Sequence, residues 1–439
     1  MANNPRPREV ETGSTGRGNA RFSFGPGLVF FLAATGPGAF VSNSAAGATY
    51  GYSMMWSLAL ALSFRFVWVN TSAKYVLVTR ESLMQGYARM GSWLIWISLA
   101  ATILVRHSSN LYTILMMGNA AHILCPLPIP GSGIIWALAL TSLGFSMMFW
   151  GGYPVIERAC RILIAVMGGA LVIAAVISKP DPAAIARGIL IPWVPNIRSG
   201  YSSVLLLAAM IGAQAGTLSN LSYSYFSIEK GWKGPSDLKR QRTDLLISTG
   251  CKFVMGALLQ IAAATTLFPS GIQPQSAEHL VRIFSEKQGE LGRIIFALGL
   301  CAICFSNYVS GTTGYAFIVR DICLRFVPGL RRPQETGDAA PRSERDRIYR
   351  WSVALLALSP VYIVFTGAEP VALTLMVRSL VVIIIPVLVG TLLKLTTDRT
   401  LMGPHRNGWL TNAFMVLLII ISIYLSARNM WEWWLKLSG

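Results

Sequence analysis

Four cationic side chains, Arg65, Arg106, Lys252 and Arg378, stand inside stretches of the chain that are otherwise apolar. All 19 Asp and Glu lie elsewhere, in tails, loops or the ends of those stretches, with Glu81, Glu157, Glu229 and Glu369 the nearest. A charge at the centre of a membrane helix costs roughly 2.5–3.5 kcal/mol on insertion scales, so such a residue is expected to face a cavity or a partner. Without a carboxylate beside them, the chemistry these cations offer is recognition of negative charge, through forked guanidinium donors. Arg378, and Arg106 with His107, are the candidates for it. The other reading of Arg378 is structural, an arginine tied to the carbonyls of an unwound helix. Lys252, two turns from the end of its stretch, is expected to snorkel to the interface. His107 reads as a hydrogen-bonded core residue or, being the one deeply placed histidine, as a proton relay.

Two interruptions supply the second kind of chemistry. Gly36-Pro37-Gly38-Ala39 breaks the first apolar stretch, because proline removes a donor and clashes with the preceding turn while glycine lets the chain unwind. Gly212-Ala213-Gln214-Ala215-Gly216-Thr217-Leu218-Ser219-Asn220 interrupts the sixth. Its glycines four apart fit either a close-packing face or an unwound segment. In lipid, unwound backbone survives only where it is buried in protein or lines a cavity. The backbone at Gly36, Ala39 and Gly216 and the side chains of Gln214, Ser219 and Asn220 are therefore candidate binding groups. They offer neutral oxygens to a cation, and the helix N-terminus after each break suits an anion. Catalytic chemistry has little to stand on: no HExxH, histidine cluster or buried carboxylate pair occurs, and Cys301 and Cys304 read as packing residues.

The elements that must position these groups are transmembrane helices. The chain is 53% hydrophobic and only 13% charged, about half the charged share of a soluble domain. Stretches long enough to span a bilayer fall at 27–50, 53–79, 93–124, 132–150, 158–178, 201–228, 245–268, 291–318, 348–366, 368–393 and 410–427. The net charge of +18 is distributed by loop: of 37 Lys and Arg, 25 lie in the N-terminal tail and the even-numbered loops or at their edges, and eight in the odd-numbered loops and the C-terminus. That alternation follows the positive-inside rule with the N-terminus in the cytoplasm, and excludes a nucleic-acid face. The expected architecture is an all-α membrane protein of eleven spans. Residues 1–22 form a disordered cytoplasmic tail and 23–427 the transmembrane domain, with 328–347 a mobile cytoplasmic loop. Residues 428–439 make a short extracytoplasmic tail. Spans 1 and 6 open two five-span halves, the positions at which inverted-repeat transporters break their helices.

On these residues the chain resembles the Nramp (natural resistance-associated macrophage protein) family of metal-ion transporters. Gly36-Pro37-Gly38-Ala39 stands where that family has Asp-Pro-Gly-Asn, followed in family spacing by Ala45 to Ser53 and Trp56. Ser72-Ala73-Lys74, Val78-Thr79, Tyr153 with Glu157, Phe296 to Leu300 with Ser306, Pro386, and Thr397 to Gly403 continue the match in order. The resemblance implies the amino acid–polyamine–cation superfamily fold, with two inverted five-helix repeats, one extra helix and a substrate site between broken helices 1 and 6. The family's metal ligands are the Asp and Asn of the first break and a Met and a carbonyl of the sixth span. Gly36 and Ala39 hold the first two positions, the sixth-span motif falls within Ala215–Ser219, and the tenth-span Gln position is Arg378. The third-span acidic positions associated with proton movement fall on Asn110 and Thr113.

The resulting expectation is a secondary transporter with alternating access in a bacterial-type plasma membrane, its cargo a small anionic or zwitterionic solute rather than a metal. The substrate site comprises Gly36, Ala39, Gln214, Gly216, Ser219, Asn220 and Arg378, with Arg106, His107, Asn110 and Thr113 as coupling or pathway residues. No metal ligand, catalytic residue or cofactor is expected, and the partners are the lipid bilayer and the substrate. The first alternative is a divalent metal carrier (Mg/Mn-type) as in the family. A non-transporting sensor and a membrane-embedded enzyme rank below it.

Overall fold

A computed structural model describes residues 36–150, 153–194, 200–216, 218–229, 231–232, 234–327, 330 and 347–438, apart from some side chains within those ranges. The expected tail at 1–22 and nearly all of the expected loop at 328–347 lie outside the described residues. Every regular element among the described residues is helical.

The first break fixes the start of α1 (Pro37–Tyr50). Gly36 is its N-cap in extended conformation, and Pro37 takes the first helical position, where its missing donor costs nothing. A turn leads to α2 (Met55–Thr79). The short α3 (Leu83–Met90) is opened by a capping box between Ser82 and Gln85. Next come α4 (Ser92–Leu124), α5 (Ser132–Trp150) and α6 (Tyr153–Ile177). The chain then bends by 116° into α7 (Pro182–Leu190).

The sixth span is broken. α8 (Ser203–Gln214) stops at Ala215 and α9 (Ser219–Glu229) resumes four residues on. α10 (Leu238–Thr266) and α11 (Ala277–Phe326) follow, the latter kinked at Gly289, whose φ of +61° only glycine adopts readily. α12 (Arg347–Leu358) leads through a 3₁₀ turn to the tenth span. That span is itself interrupted, α13 (Pro370–Val381) passing through 3₁₀ residues Val382–Ile384 into α14 (Ile385–Thr397), which carries Pro386 in its first turn. Asp398 caps the short α15 (Arg399–Met402), its carboxylate accepting from the Thr400 amide and hydroxyl, which holds it below the usual carboxylate range. The last helix, α16 (Trp409–Ser438), runs through the residues expected to form a C-terminal tail.

Six helices or helix pairs among the described residues are long and apolar enough to cross a membrane, seven if the bent α6–α7 pair is one span. The eleven stretches read from hydropathy thus become unequal elements. α1, α8 and α9 are half-length pieces, while α2 and α4 reach 25 and 33 residues. Side chains such as Ile420 and Ile423 on α16 are more than half exposed, as befits a lipid-facing surface. The broken helices lie inside: α1 packs against α8, α10 and α13, and α8 against α13 and α2.

Candidate functional site: the cavity between the broken helices

The two breaks are closed locally by asparagines. At the second, the Ala215 and Gly216 amides both donate to Ile211 O (2.7 and 3.0 Å), leaving the last carbonyls of α8 without helical partners. Asn220 Nδ2 supplies one, donating to Ala215 O at 2.8 Å. At the first, Asn43 Nδ2 donates to Ala39 O at 2.8 Å. In both cases the amide nitrogen is committed to backbone. The oxygens Asn43 Oδ1 and Asn220 Oδ1 are buried without a hydrogen-bond partner among the described residues, as is Gln214 Oε1.

A small cavity opens between these helices, lined by Ala39, Phe40 and Asn43 of α1, Gln214 of α8, and Lys252, Met255, Gly256 and Leu259 of α10. Of the residues expected at the site, Ala39 and Gln214 line it. Gly36 and Gly38 are not among its lining residues and serve instead as contact points with other helices. A Cβ on Gly36 would stand 2.6 Å from Asn307 Nδ2, and one on Gly38 would collide with Arg378 Nε. Gly216 packs against Gly212 and Val381. Asn220 bridges the break, and Ser219 begins α9, its side chain lying outside the described residues. Asn43 was missed by sequence reasoning, although a polar residue one turn past a break is a usable signal.

The cations depart from expectation in two places. Lys252 does not snorkel: it is only 4% exposed and sits on the cavity wall, because Gly256 one turn on lets α10 approach α1 closely. His107 is not deep: it is partly exposed, its Nδ1 is 2.8 Å from Ser359 Oγ, and its ring stacks on Tyr362. Arg378 is buried at the crossing of α1, α8 and α13, with its guanidinium over the Tyr112 ring at 5.5 Å. It lies against Gly38 and is not among the residues lining the cavity.

Arg106 belongs to a network that joins α4, α11 and α12. Nε donates to Thr312 Oγ1 (3.2 Å), Nη1 to Asn307 Oδ1 (3.4 Å), and Nη2 to Asn307 O (3.0 Å) and Asn110 Oδ1. Asn110 Nδ2 reaches Leu356 O at 2.8 Å. Asn307, absent from the sequence reading, carries this network to Gly36. Thr113 only returns its hydroxyl to Ser109 O (2.7 Å) within α4. Among the described residues no group of three or more His, Cys, Asp or Glu could hold a metal ion, so any cation here meets amide, carbonyl and thioether donors.

Residues 27–432 match the family model described as natural resistance-associated macrophage protein-like. The chain belongs to the Nramp family. Relatives of similar length are the divalent metal cation transporters MntH of Aeromonas hydrophila (23% identical, 92% of this chain and 94% of that one) and of Mycobacterium leprae (25%, 93% and 93%). The manganese transporter of Eremococcus coleocola superposes with a TM-score of 0.73 at 17% identity, over 92% of this chain and 85% of that one. Mhp1, a nucleobase-cation-symport-1 family transporter, reaches 0.56 at 11% identity over 93% and 92%. The fold is the one these two solved structures share, and as a member of the Nramp family the chain is a multi-pass membrane transporter, not an enzyme.

The Nramp relatives also correct the cargo. An anionic or zwitterionic solute was expected from Arg378, yet the curated MntH relatives spanning this chain are divalent metal cation transporters. The error was to let the charge of Arg378 define the site. The cavity is lined by the side-chain amides of Asn43 and Gln214 together with Lys252 and apolar residues, and the Arg378 guanidinium lies against the backbone of α1 instead.

Proposed function

We propose that this Nramp protein moves a divalent metal cation across the membrane by alternating access, with the cargo held in the cavity between α1, α8 and α10. The observation that carries the reading is the pair Asn43 Oδ1 and Gln214 Oε1. One sits on each broken span, both residues line the same cavity, and neither oxygen has a hydrogen-bond partner among the described residues. Neutral oxygens of this kind suit hard dications of the Mg²⁺ and Mn²⁺ type, and Met255 adds a thioether to the same wall, a softer donor. The backbone of Gly36, Ala39 and Gly216 and the amide of Asn220 shape the breaks around the cargo, with Ser219 at the start of α9. Lys252 and Arg378 oppose tight binding, and a weak site favours release, which a carrier needs as much as capture. Arg106, Asn110 and Thr113 belong to the surrounding frame, and His107 to its rim.

The bacterial MntH relatives support a bacterial-type inner-membrane location, and the loop charges support an N-terminus in the cytoplasm and a C-terminus outside. Residues 23–427 then act as one transmembrane unit.

Uptake of Mn²⁺ and Mg²⁺ into proteoliposomes carrying the full chain tests the reading. Saturable uptake that weakens in Asn43→Leu and in Gln214→Leu is the expected result. Wild-type vesicles that accumulate no divalent cation above protein-free controls would overturn it.

A further inference from the structure

We infer that Gln260 and Asn43 form an outer subsite, one helical turn beyond the cavity, at which a divalent cation held by neutral oxygens pauses between the outer surface and the main site. The inference rests on the metal reading above and extends it along the seam between α1 and α10.

That seam is built on two glycines. Gly256 of α10 lies against Asn43 of α1, where a Cβ would stand 2.9 Å from Asn43 Nδ2. One turn further out, Gly47 of α1 receives the backbone carbonyl of Gln260 and the methyl of Ala263. Residues 256, 260 and 263 thus make the stripe of α10 that faces residues 43 and 47 of α1. The two helices run side by side in the same direction.

Gln260 is fully buried on that stripe, and both its Oε1 and its Nε2 lack a hydrogen-bond partner among the described residues. Asn43 Oδ1, on the facing helix, is in the same condition. Buried side-chain amides are nearly always satisfied, and an apolar residue of the same shape would pack here at lower cost. Retaining an amide against the stability gradient marks a position kept for a ligand. Asn43 belongs at once to the cavity wall and to this seam, so the same oxygen serves a cation on either side of it. Beyond Gln260 the seam ends at the outer closure, where Thr49 Oγ1 donates to Gln273 Oε1 at 2.7 Å.

The test sets stability against transport. Gln260→Leu removes two unsatisfied polar atoms at nearly constant volume, so it raises the melting temperature of the purified full-length protein. If the subsite exists, the same variant raises the KM for Mn²⁺ uptake into proteoliposomes by about fivefold or more. Gln260→Glu, which keeps an oxygen at the same reach and adds a negative charge toward the cation, lowers the KM for Mn²⁺ below that of wild type. A Gln260→Leu protein that is more stable and transports with an unchanged KM overturns the subsite and leaves the main site standing. If Gln260→Leu and Gln260→Glu lose uptake alike while melting lower than wild type, the residue is structural and the subsite is again overturned. Wild-type vesicles that take up neither Mn²⁺ nor Mg²⁺ overturn the metal reading, and this inference with it.

Discussion

The backbone carbonyl of Arg378 occupies the space that a Cβ on Gly212 would fill. α8 and α13 therefore meet backbone to backbone at the level of the second break, and the guanidinium is delivered to Gly38 of α1 on the other side. Three helices are set by one residue. Its main chain fixes the spacing of two, and its side chain props the third.

Gly212→Ala should separate α8 from α13, since a carbonyl cannot rotate away as a side chain would. Overpacking of this kind costs about 1–3 kcal/mol. Gly250→Ala on α10, where a Cβ meets open space, is the matched control and should gain about 0.5–1 kcal/mol through helix propensity. Thermal melts of the two variants in one detergent check the contrast; equal melting temperatures would remove the close approach as a structural requirement.

Arg378→Gln should tighten metal binding. A unit charge and a dication about 8 Å apart at an effective dielectric of 20 repel by about 4 kcal/mol, and about a third of that is tenfold in Kd. The variant is expected to bind Mn²⁺ at least about tenfold more tightly, and to turn over more slowly because release is harder. Calorimetry with parallel uptake rates measures both. Weaker binding in Arg378→Gln would mean that the guanidinium props the site more than it repels the cargo.

Arg106→Gln should be severely destabilising and His107→Ala nearly silent, although the two residues are adjacent. Arg106 makes five hydrogen bonds to α4 and α11 partners, and losing bonds to a buried charged group costs about 1.5–3 kcal/mol each. His107 contributes one partly exposed hydrogen bond and a ring stack on Tyr362, within the range of ordinary surface substitutions, about 0.5 kcal/mol. Expression level and melting temperature of both variants decide it, and a His107→Ala protein that loses uptake but not stability would return that histidine to the pathway.

The C-terminal ends of α1 and α10 should be separable only during turnover. Thr49 binds Gln273, Tyr50 Oη donates to Tyr201 O (3.2 Å), and Tyr201 Oη donates to Pro274 O (2.9 Å). A short bifunctional thiol reagent applied to Thr49→Cys/Gln273→Cys is expected to stop uptake, with activity returning on cleavage of the linker. Uptake that continues at full rate in the cross-linked protein would show that this closure need not open.

What the sequence disclosed of the site followed the range of the interactions involved. Both breaks were readable because proline and glycine act on their own backbone, and the second glycine pair proved to serve both offered readings: Gly212 packs closely and the helix unwinds beside it. The Nramp resemblance was readable because its motifs run in order along the membrane domain. The role of Asn43 was not, because it depends on Gly256 more than 200 residues away. Lys252 was misplaced for the same reason: position along a helix says how far a side chain is from the interface, not which neighbour covers it. The 3₁₀ interruption at Val382–Ile384 left only Pro386 as a trace, and hydropathy runs smoothly across it.

α1 and its two caps meet their neighbours through glycine at Gly36, Gly38, Gly47 and Gly51, against α11, α13, α10 and Phe268, two residues beyond α10. Surfaces without a Cβ touch by proximity and do not interlock. A rigid tilt of this helix then requires few side-chain rotamers to change and few knobs to leave their holes. The half of the first span that follows the break is built as a rocker, and its bearings are bare backbone.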